Sequence, residues 1–142
     1  MSVTTDPAEP ADLAGTRLRS EAAYRHSLRD ERRVFFRGER VDDVTEHPVF
    51  AHAVEHASID YRMAEDERYR DLAVVDGYSR YFHVPRTADD LIARSRLIEA
   101  ATRAGKTLVV LIKEIGTDAL FSLLAMKDEL GEPYASRIEE FH

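Results

Sequence analysis

Cysteine is absent from this chain of 142 residues. Its absence excludes disulfides, thiolate-ligated zinc or iron–sulfur sites and a cysteine nucleophile. No run of apolar residues approaches the roughly 18 residues that a membrane-spanning helix needs. Residues 1–15 contain neither a basic segment nor an apolar stretch, so they do not resemble a secretory signal. We therefore expect a cytoplasmic protein with no membrane partner.

Positive charge is in the minority, with 20 Lys and Arg residues against 27 Asp and Glu residues and a net charge of −7. Such a surface repels phosphate backbones, so a nucleic acid is not an expected partner. Hydrophobic residues make up 44% of the chain and charged residues 33%, which is typical of a soluble globular protein. The length favours a single domain.

The hydrophobic periodicity predicts a mainly α fold with one or two small β-hairpins and roughly 60% helix. Residues 1–15 hold little to bury and are expected to be a disordered lead-in to a domain over residues 16–142. One hairpin is predicted from Val34–Phe36 and Glu39–Val41, and a second around Asp76–Gly77.

Helix start and stop signals divide the rest of the chain. One helix is expected from Thr45 or Glu46 to about Met63, and Thr87 is a good N-cap for another. A later helix is expected between Thr117 as cap and Gly131 as stop. Apolar residues at helical spacing give the expected core: Phe50, Val54, Tyr61, Leu91, Ile98, Leu120 and Leu124.

The sequence "TLVVLI" (residues 107–112) contains the longest apolar run, from Leu108 to Ile112. We expect the preceding helix to continue through Gly105 into this segment. Together with "IGTDALFSLLAM" it holds more large apolar residues than one face of two short helices can bury. A contiguous exposed apolar patch usually marks an interaction site. The candidate interface residues are Leu108, Val109, Leu111, Ile112 and Phe121.

Two smaller patterns have a functional interpretation and a plainer alternative. His52 and His56 lie four residues apart on a predicted helix and could share a metal ion with His47. The alternative is a solvated polar helix face. The sequence "AGKT" (residues 104–107) lacks the Gly that a phosphate-binding loop needs at position 100, so the backbone cradle is missing.

Three segments in order resemble a known family. They are "YRHSLRDERRVFFRGERVDDVTEHPVF" (24–50), "YRMAEDERYRDL" (61–72) and "FHVPRTADDLIARSRLIE" (82–99). Each is similar to the N-terminal region of the 4-hydroxyphenylacetate 3-hydroxylase family, which also includes 4-hydroxybutyryl-CoA dehydratase. The likeness covers the chain from about residue 20 onward.

The resemblance implies the helical N-terminal domain of an acyl-CoA dehydrogenase-like flavoenzyme. In that family a middle β-domain and a C-terminal helical bundle follow. The hydroxylases use reduced FAD to hydroxylate phenols, whereas the dehydratases hold FAD and an iron–sulfur cluster. FAD is therefore expected in a complete assembly, although no residue of this chain is assigned to bind it, and the chain alone is not expected to do so.

The chain departs from both branches at the places that carry their chemistry. Aligned on Asp118, the hydroxylases' active-site Arg and Tyr are replaced by Ile115 and Ala119. The dehydratases' two cluster cysteines are replaced by Val110 and Glu114. We therefore assign no catalytic residue and no metal ligand to this chain.

Three hypotheses follow for the function. The chain is the N-terminal subunit of a split flavin-dependent monooxygenase or dehydratase, and a second polypeptide supplies the middle and C-terminal domains. Alternatively, it is a non-catalytic binding or regulatory module. The third possibility is a truncated, inactive gene product.

Overall fold

A computed structural model describes residue 13, residues 16–106 and residues 112–141. The fold is mainly helical with two small antiparallel hairpins, as the periodicity predicts. The chain divides into two compact units, Met1–Ser79 and Arg80–His142. The predicted lead-in lies almost wholly outside the described residues.

The first unit combines short helices with both hairpins. Its elements are α1 (Glu21–Ser27), β1 (Val34–Phe36), β2 (Glu39–Val41), α2 (Phe50–Ala57), α3 (Ile59–Glu65), α4 (Glu67–Ala73), β3 (Val74–Val75) and β4 (Tyr78–Ser79). Its buried apolar side chains come from the first hairpin and from α2 to α4: Val41, Val54, Ile59, Met63, Ala64 and Ala73.

The second unit is helical. It comprises a short 3-10 helix (Arg80–Phe82), α5 (Ala88–Gly105), α6 (Ile112–Leu130) and α7 (Tyr134–Phe141). Its buried apolar side chains are Tyr81, Leu97, Ala101, Leu120 and Ile138. None of the helices in the described ranges is long and apolar enough to cross a membrane.

Both predicted hairpins are confirmed. In the first, Val34 pairs with Val41 and Phe36 with Glu39, so the turn falls on Arg37 and Gly38. Both turn residues have positive φ, at 52° and 88°. Two consecutive residues of that kind match the twist of paired strands, and glycine adopts such a φ without steric cost.

The helix predicted from residue 45 to Met63 is wrong in its start and its continuity. Helix α2 begins only at Phe50, and the helix is divided at Ser58. The Ser58 side chain is fully buried, and its hydroxyl donates to the carbonyl oxygen of Val54 at 2.8 Å. Such a bond to the preceding turn competes with regular backbone pairing and bends helices.

The predicted core is right in part. Val54 and Leu120 are buried, whereas Phe50, Tyr61, Ile98 and Leu124 are half-buried. The prediction for Leu91 is wrong, because its side chain is 55% exposed. Helix α5 buries the face that carries Arg94, Leu97 and Ala101, which lies about a quarter turn away from Leu91.

The start of α5 confirms Thr87 as its N-cap. The Thr87 hydroxyl accepts from the backbone N–H of Asp90 at 3.2 Å, and the Asp90 carboxylate accepts from the N–H of Thr87 at 2.9 Å. This reciprocal pair is a capping box. The backbone N–H of Arg86, followed by the hydroxyl and N–H of Thr87, lowers the pKa of Asp90 from 3.8 to about 2.

Gly131 is confirmed as the stop of α6. Its φ is +64°, and its N–H donates to the carbonyl oxygen of Lys127 at 3.1 Å. The turn brings α7 back against α6, where Lys127 forms an ion pair with Glu139. That hydrogen-bonded pair raises the pKa of Lys127 and lowers the pKa of Glu139.

The difference in burial between Leu97 and Leu91 predicts different effects on stability. We expect Leu97→Ala to lower the free energy of unfolding by about 2–5 kcal/mol, because it opens a cavity at a side chain that is 1% exposed. Leu91→Ala, on the same helix, is the matched control and should change it by less than about 0.5 kcal/mol. Urea denaturation of both variants decides the point, and equal losses would contradict this description of α5.

The capping box predicts a pH dependence. Because folding depresses the pKa of Asp90, its contribution to stability is complete above about pH 4 and is lost as the pH falls towards about 2. Asp90→Asn should therefore lower stability at neutral pH and flatten the acid limb of the stability curve. Asp89→Asn, in the same helical turn, is the control. Identical acid limbs in Asp90→Asn and the unaltered chain would refute the assignment.

Candidate functional site on the second unit

A buried arginine joins three elements of the second unit. Arg94 is only 6% exposed and lies on the inward face of α5. Its guanidinium donates to the carbonyl oxygens of Tyr81 at 3.1 Å and Glu114 at 3.3 Å. It also donates to the Thr117 hydroxyl at 2.8 Å and to the Asp118 carboxylate at 2.6 Å. The 3-10 helix, α5 and α6 are thereby connected through one side chain.

Two aromatic rings contact the same guanidinium. The Arg94 carbon lies 5.9 Å from the ring centre of Tyr81 and 5.3 Å from that of Phe121. Aromatic faces attract cations more strongly where water is excluded. With four protein acceptors and two rings around it, Arg94 acts as a structural clamp rather than as a binding site for an anion.

Thr117 is not a helix cap, contrary to the sequence prediction. Helix α6 begins at Ile112, so Thr117 lies within its second turn and is 3% exposed. Its hydroxyl donates to the carbonyl oxygen of Lys113 at 2.7 Å and accepts from Arg94. Local spacing suggested a cap, whereas the buried arginine on another helix gives this threonine its partner.

The two residues that the sequence resemblance aligns with the hydroxylases' active-site Arg and Tyr lie on the outer surface of α6. Ile115 is 68% exposed, and Ala119 is exposed one turn later. Asp118, between them in sequence, is held by Arg94 although its side chain is 65% exposed. The clamp therefore fixes the orientation of a helix whose outer face at this point is apolar.

The apolar outer face continues along α6 and reaches a groove against α7. Leu123, Met126 and Leu130 are each at least 40% exposed. The groove has a volume of about 500 Å³ and is almost entirely apolar. Its lining residues are Leu120, Leu123, Leu130, Tyr134, Arg137, Ile138 and Phe141.

The interface residues proposed from the sequence are only partly described. Leu108, Val109 and Leu111 lie outside the described residues, and nothing is described of the Ile112 side chain. Phe121 is half-buried, with its ring against Arg94. The interface role of these five residues therefore stays a prediction.

The three histidines of the possible metal site are in the first unit. His52 is exposed and His56 half-buried on α2, while the ring of His47 lies 4.9 Å from that of Phe50. The Nδ1 atom of His47 accepts from the backbone N–H of Val49 at 3.2 Å. Within the described ranges, no three His, Asp or Glu side chains are grouped as a metal site requires.

Comparison with known proteins identifies the family. Residues 20–142 match the family model described as "4-hydroxyphenylacetate 3-hydroxylase N terminal". The chain therefore belongs to the 4-hydroxyphenylacetate 3-hydroxylase family, and it corresponds to the N-terminal region of these enzymes.

Curated relatives include two bacterial oxygenases. The oxygenase component of 4-nitrophenol 2-monooxygenase from a Rhodococcus species is 40% identical over 87 residues, which cover 56% of this chain and 17% of the relative. A monooxygenase of Streptomyces globisporus, named for a (3S)-3-amino-3-(3-chloro-4-hydroxyphenyl)propanoyl group on a peptidyl-carrier protein, is 35% identical over 103 residues. That alignment covers 68% of this chain and 20% of the relative.

A solved structure shares the fold. It is the oxygenase component of 4-hydroxyphenylacetate 3-monooxygenase in complex with FAD and 4-hydroxyphenylacetate. The TM-score is 0.72 at 25% identity, with 87% of this chain and 27% of that chain covered. The chain thus spans about a fifth of the curated relatives' length and about a quarter of that structure.

The clamp gives a prediction for stability. Arg94→Met should lower the free energy of unfolding by about 2–4 kcal/mol, because it leaves the buried acceptors at Tyr81 and Thr117 without their donor. Asp118→Asn should cost less than about 1 kcal/mol, since that side chain is largely in water. Thermal and urea unfolding measure both effects. Arg96→Met, an exposed position on the same helix, is the control, and an equal loss there would contradict the clamp.

Proposed function

We propose that the chain is the N-terminal part of a flavin-dependent monooxygenase that hydroxylates phenolic rings, and that it acts only with a second polypeptide carrying the middle and C-terminal domains. The observation that carries this proposal is the family match over residues 20–142. Its relatives are named as oxygenases of phenolic compounds, and this chain spans only about a fifth of their length.

The chemistry of the described side chains supports the need for a partner. Binding of FAD requires a surface that buries a dinucleotide and donors placed for its pyrophosphate. The groove between α6 and α7 is apolar apart from Tyr134 and Arg137, so its lining does not fit that group. We infer that most of the FAD contacts belong to the partner polypeptide. When bound there, reduced FAD would supply the two electrons that place one oxygen atom of O₂ on the ring and release the other as water.

A monooxygenase is favoured over a dehydratase. The dehydratases need thiolates for their iron–sulfur cluster, and this chain has no cysteine. The corresponding positions are Val110 and Glu114, and the backbone carbonyl of Glu114 accepts from Arg94. This chain therefore lacks the two thiolate ligands that the dehydratases supply from these positions.

A role as a regulatory module is the second candidate. The exposed Ile115 and Ala119 favour it, because an apolar pair cannot supply the charge and the phenol of the hydroxylase pattern. Such a module would bind an intact relative reversibly and leave hydroxylation possible in its absence. A split enzyme would have no activity without this chain.

The proposed contact with the partner includes the apolar run ahead of α6. We retain Leu108, Val109, Leu111, Ile112 and Phe121 as its interface residues. Leu111→Lys or Ile112→Lys should abolish partner binding and leave the chain folded, because a charge is tolerated at a surface but not in a core. Unfolding of both variants would remove these residues from the interface.

Co-expression tests the function. The chain should be produced with and without the polypeptide encoded next to it, and then analysed by size-exclusion chromatography and flavin absorbance. We expect joint elution, bound flavin only in the complex, and a hydroxylated product from 4-hydroxyphenylacetate or 4-nitrophenol only when both chains and reduced FAD are present. Activity of the larger polypeptide alone would favour the regulatory module. A yellow protein from this chain alone would contradict the proposed division of the FAD site.

A further inference from the structure

Helix α6 has two apolar faces. One faces the interior of its unit through Thr117 and Leu120, which are at most 9% exposed. The other carries Ile115, Leu123, Met126 and Leu130, which lie within about 80° of one another around the helix axis. A surface helix normally has a single apolar stripe and a polar opposite face. The second stripe is therefore in excess of what the unit needs for its own core.

The second stripe continues onto α7. Leu123 and Leu130 belong both to the stripe and to the lining of the groove. At the other side of that groove, Tyr134 is 57% exposed and Phe141 is 82% exposed. We name the combined area the α6–α7 surface, and its exposed apolar residues are Ile115, Leu123, Met126, Leu130, Tyr134 and Phe141.

The α6–α7 surface comprises several neighbouring exposed apolar side chains rather than a single one. Single exposed apolar side chains are normal on any protein, whereas a contiguous patch with a groove marks a contact site. Here six large side chains lie on two adjacent helices, and the groove between them holds about 500 Å³. The Lys127–Glu139 ion pair joins the two helices, so both walls of the groove are fixed relative to each other.

The extent of the family match bears on what could cover this surface. The match to the family's N-terminal region extends through α7 to residue 142. In the longer relatives the remaining domains follow that region, so their polypeptide continues from the end of α7. Phe141 lines the groove at that end. A domain that continues from α7 therefore starts next to the apolar groove.

We propose that the α6–α7 surface is the docking site for the polypeptide that carries the middle and C-terminal domains, an inference that rests on the proposed function. The occupant presents large apolar side chains to the groove. It also presents a carboxylate to Arg137, the one cationic residue in the lining. Aromatic and aliphatic anchors in such pockets usually dominate the affinity of an interface.

A matched pair of variants tests the docking site. Leu123→Glu places a charge on the α6–α7 surface at a side chain that is 44% exposed. Leu91→Glu places the same charge at a leucine that is 55% exposed on α5, outside that surface. Circular dichroism should show both variants folded. Their affinities are then measured by calorimetric titration with the larger polypeptide obtained by co-expression, and Arg137→Glu is measured in the same way.

The expected result is a loss of affinity of roughly tenfold or more for Leu123→Glu and Arg137→Glu, with little change for Leu91→Glu. Equal affinity of Leu123→Glu and the unaltered chain overturns the docking site and leaves the proposed function standing. Failure of the unaltered chain to bind the larger polypeptide overturns both. A homodimer that Leu123→Glu dissociates, seen by analytical ultracentrifugation without the larger polypeptide, also overturns the proposal, because the occupant would then be a second copy. If Leu123→Glu unfolds, Leu123→Gln and Phe141→Ser replace it under the same criteria.

Discussion

The second unit depends on one buried cation. Burying an unpaired guanidinium would cost several kcal/mol, so Arg94 can lie in the interior only where acceptors surround it. The 3-10 helix provides a carbonyl oxygen, and α6 provides a second carbonyl, a hydroxyl and a carboxylate. Each of these acceptors fixes the position of its own element. The need to pair one charge therefore sets the register of α6 against α5.

That register has a consequence for the outer surface of the unit. When Thr117 and Leu120 face inward, the helix must turn Ile115 and Leu123 outward. Those apolar side chains would be unfavourable in water over a large area, and no rotation of α6 could bury them without removing Thr117 from Arg94. The interior clamp and the exposed apolar stripe are thus two results of the same helix orientation, which connects the stability of the unit to its proposed interface.

The inward and outward faces of α6 are subject to different constraints. The chain has the fold of the family's N-terminal region, and within this chain the contact between Arg94 and Asp118 orients α6. At the two places that the resemblance aligns with the hydroxylases' Arg and Tyr, it carries the apolar residues Ile115 and Ala119. A helix can keep its inward face for packing while its outward face changes, because the two faces obey different constraints. The inward face must satisfy a buried charge, whereas the outward face must suit whatever lies against it.

Local patterns in the sequence determined much of the secondary structure. The hairpin at Arg37–Gly38, the Thr87 cap and the Gly131 stop each depend on residues that are near neighbours in the chain, so spacing alone was sufficient to predict them. The resemblance to the family was likewise visible in ordered motifs. These features required no knowledge of which helix packs on which.

Only the tertiary structure decided what the long helices bury. Leu91 has the spacing of a core residue, yet a polar side chain, Arg94, occupies the inward face of α5 because its acceptors lie on other elements. The spacing around Thr117 predicts a helix cap, but its hydroxyl accepts a hydrogen bond from Arg94. The helix is divided at Ser58, where a buried hydroxyl donates to the carbonyl oxygen of Val54. The exposure of the stripe from Ile115 to Leu130 could not be predicted from the sequence either. Periodicity shows that a helix has apolar faces, but it does not show which of them its own unit buries. Each of these outcomes depends on contacts between residues distant in sequence, and periodicity carries no information about such contacts.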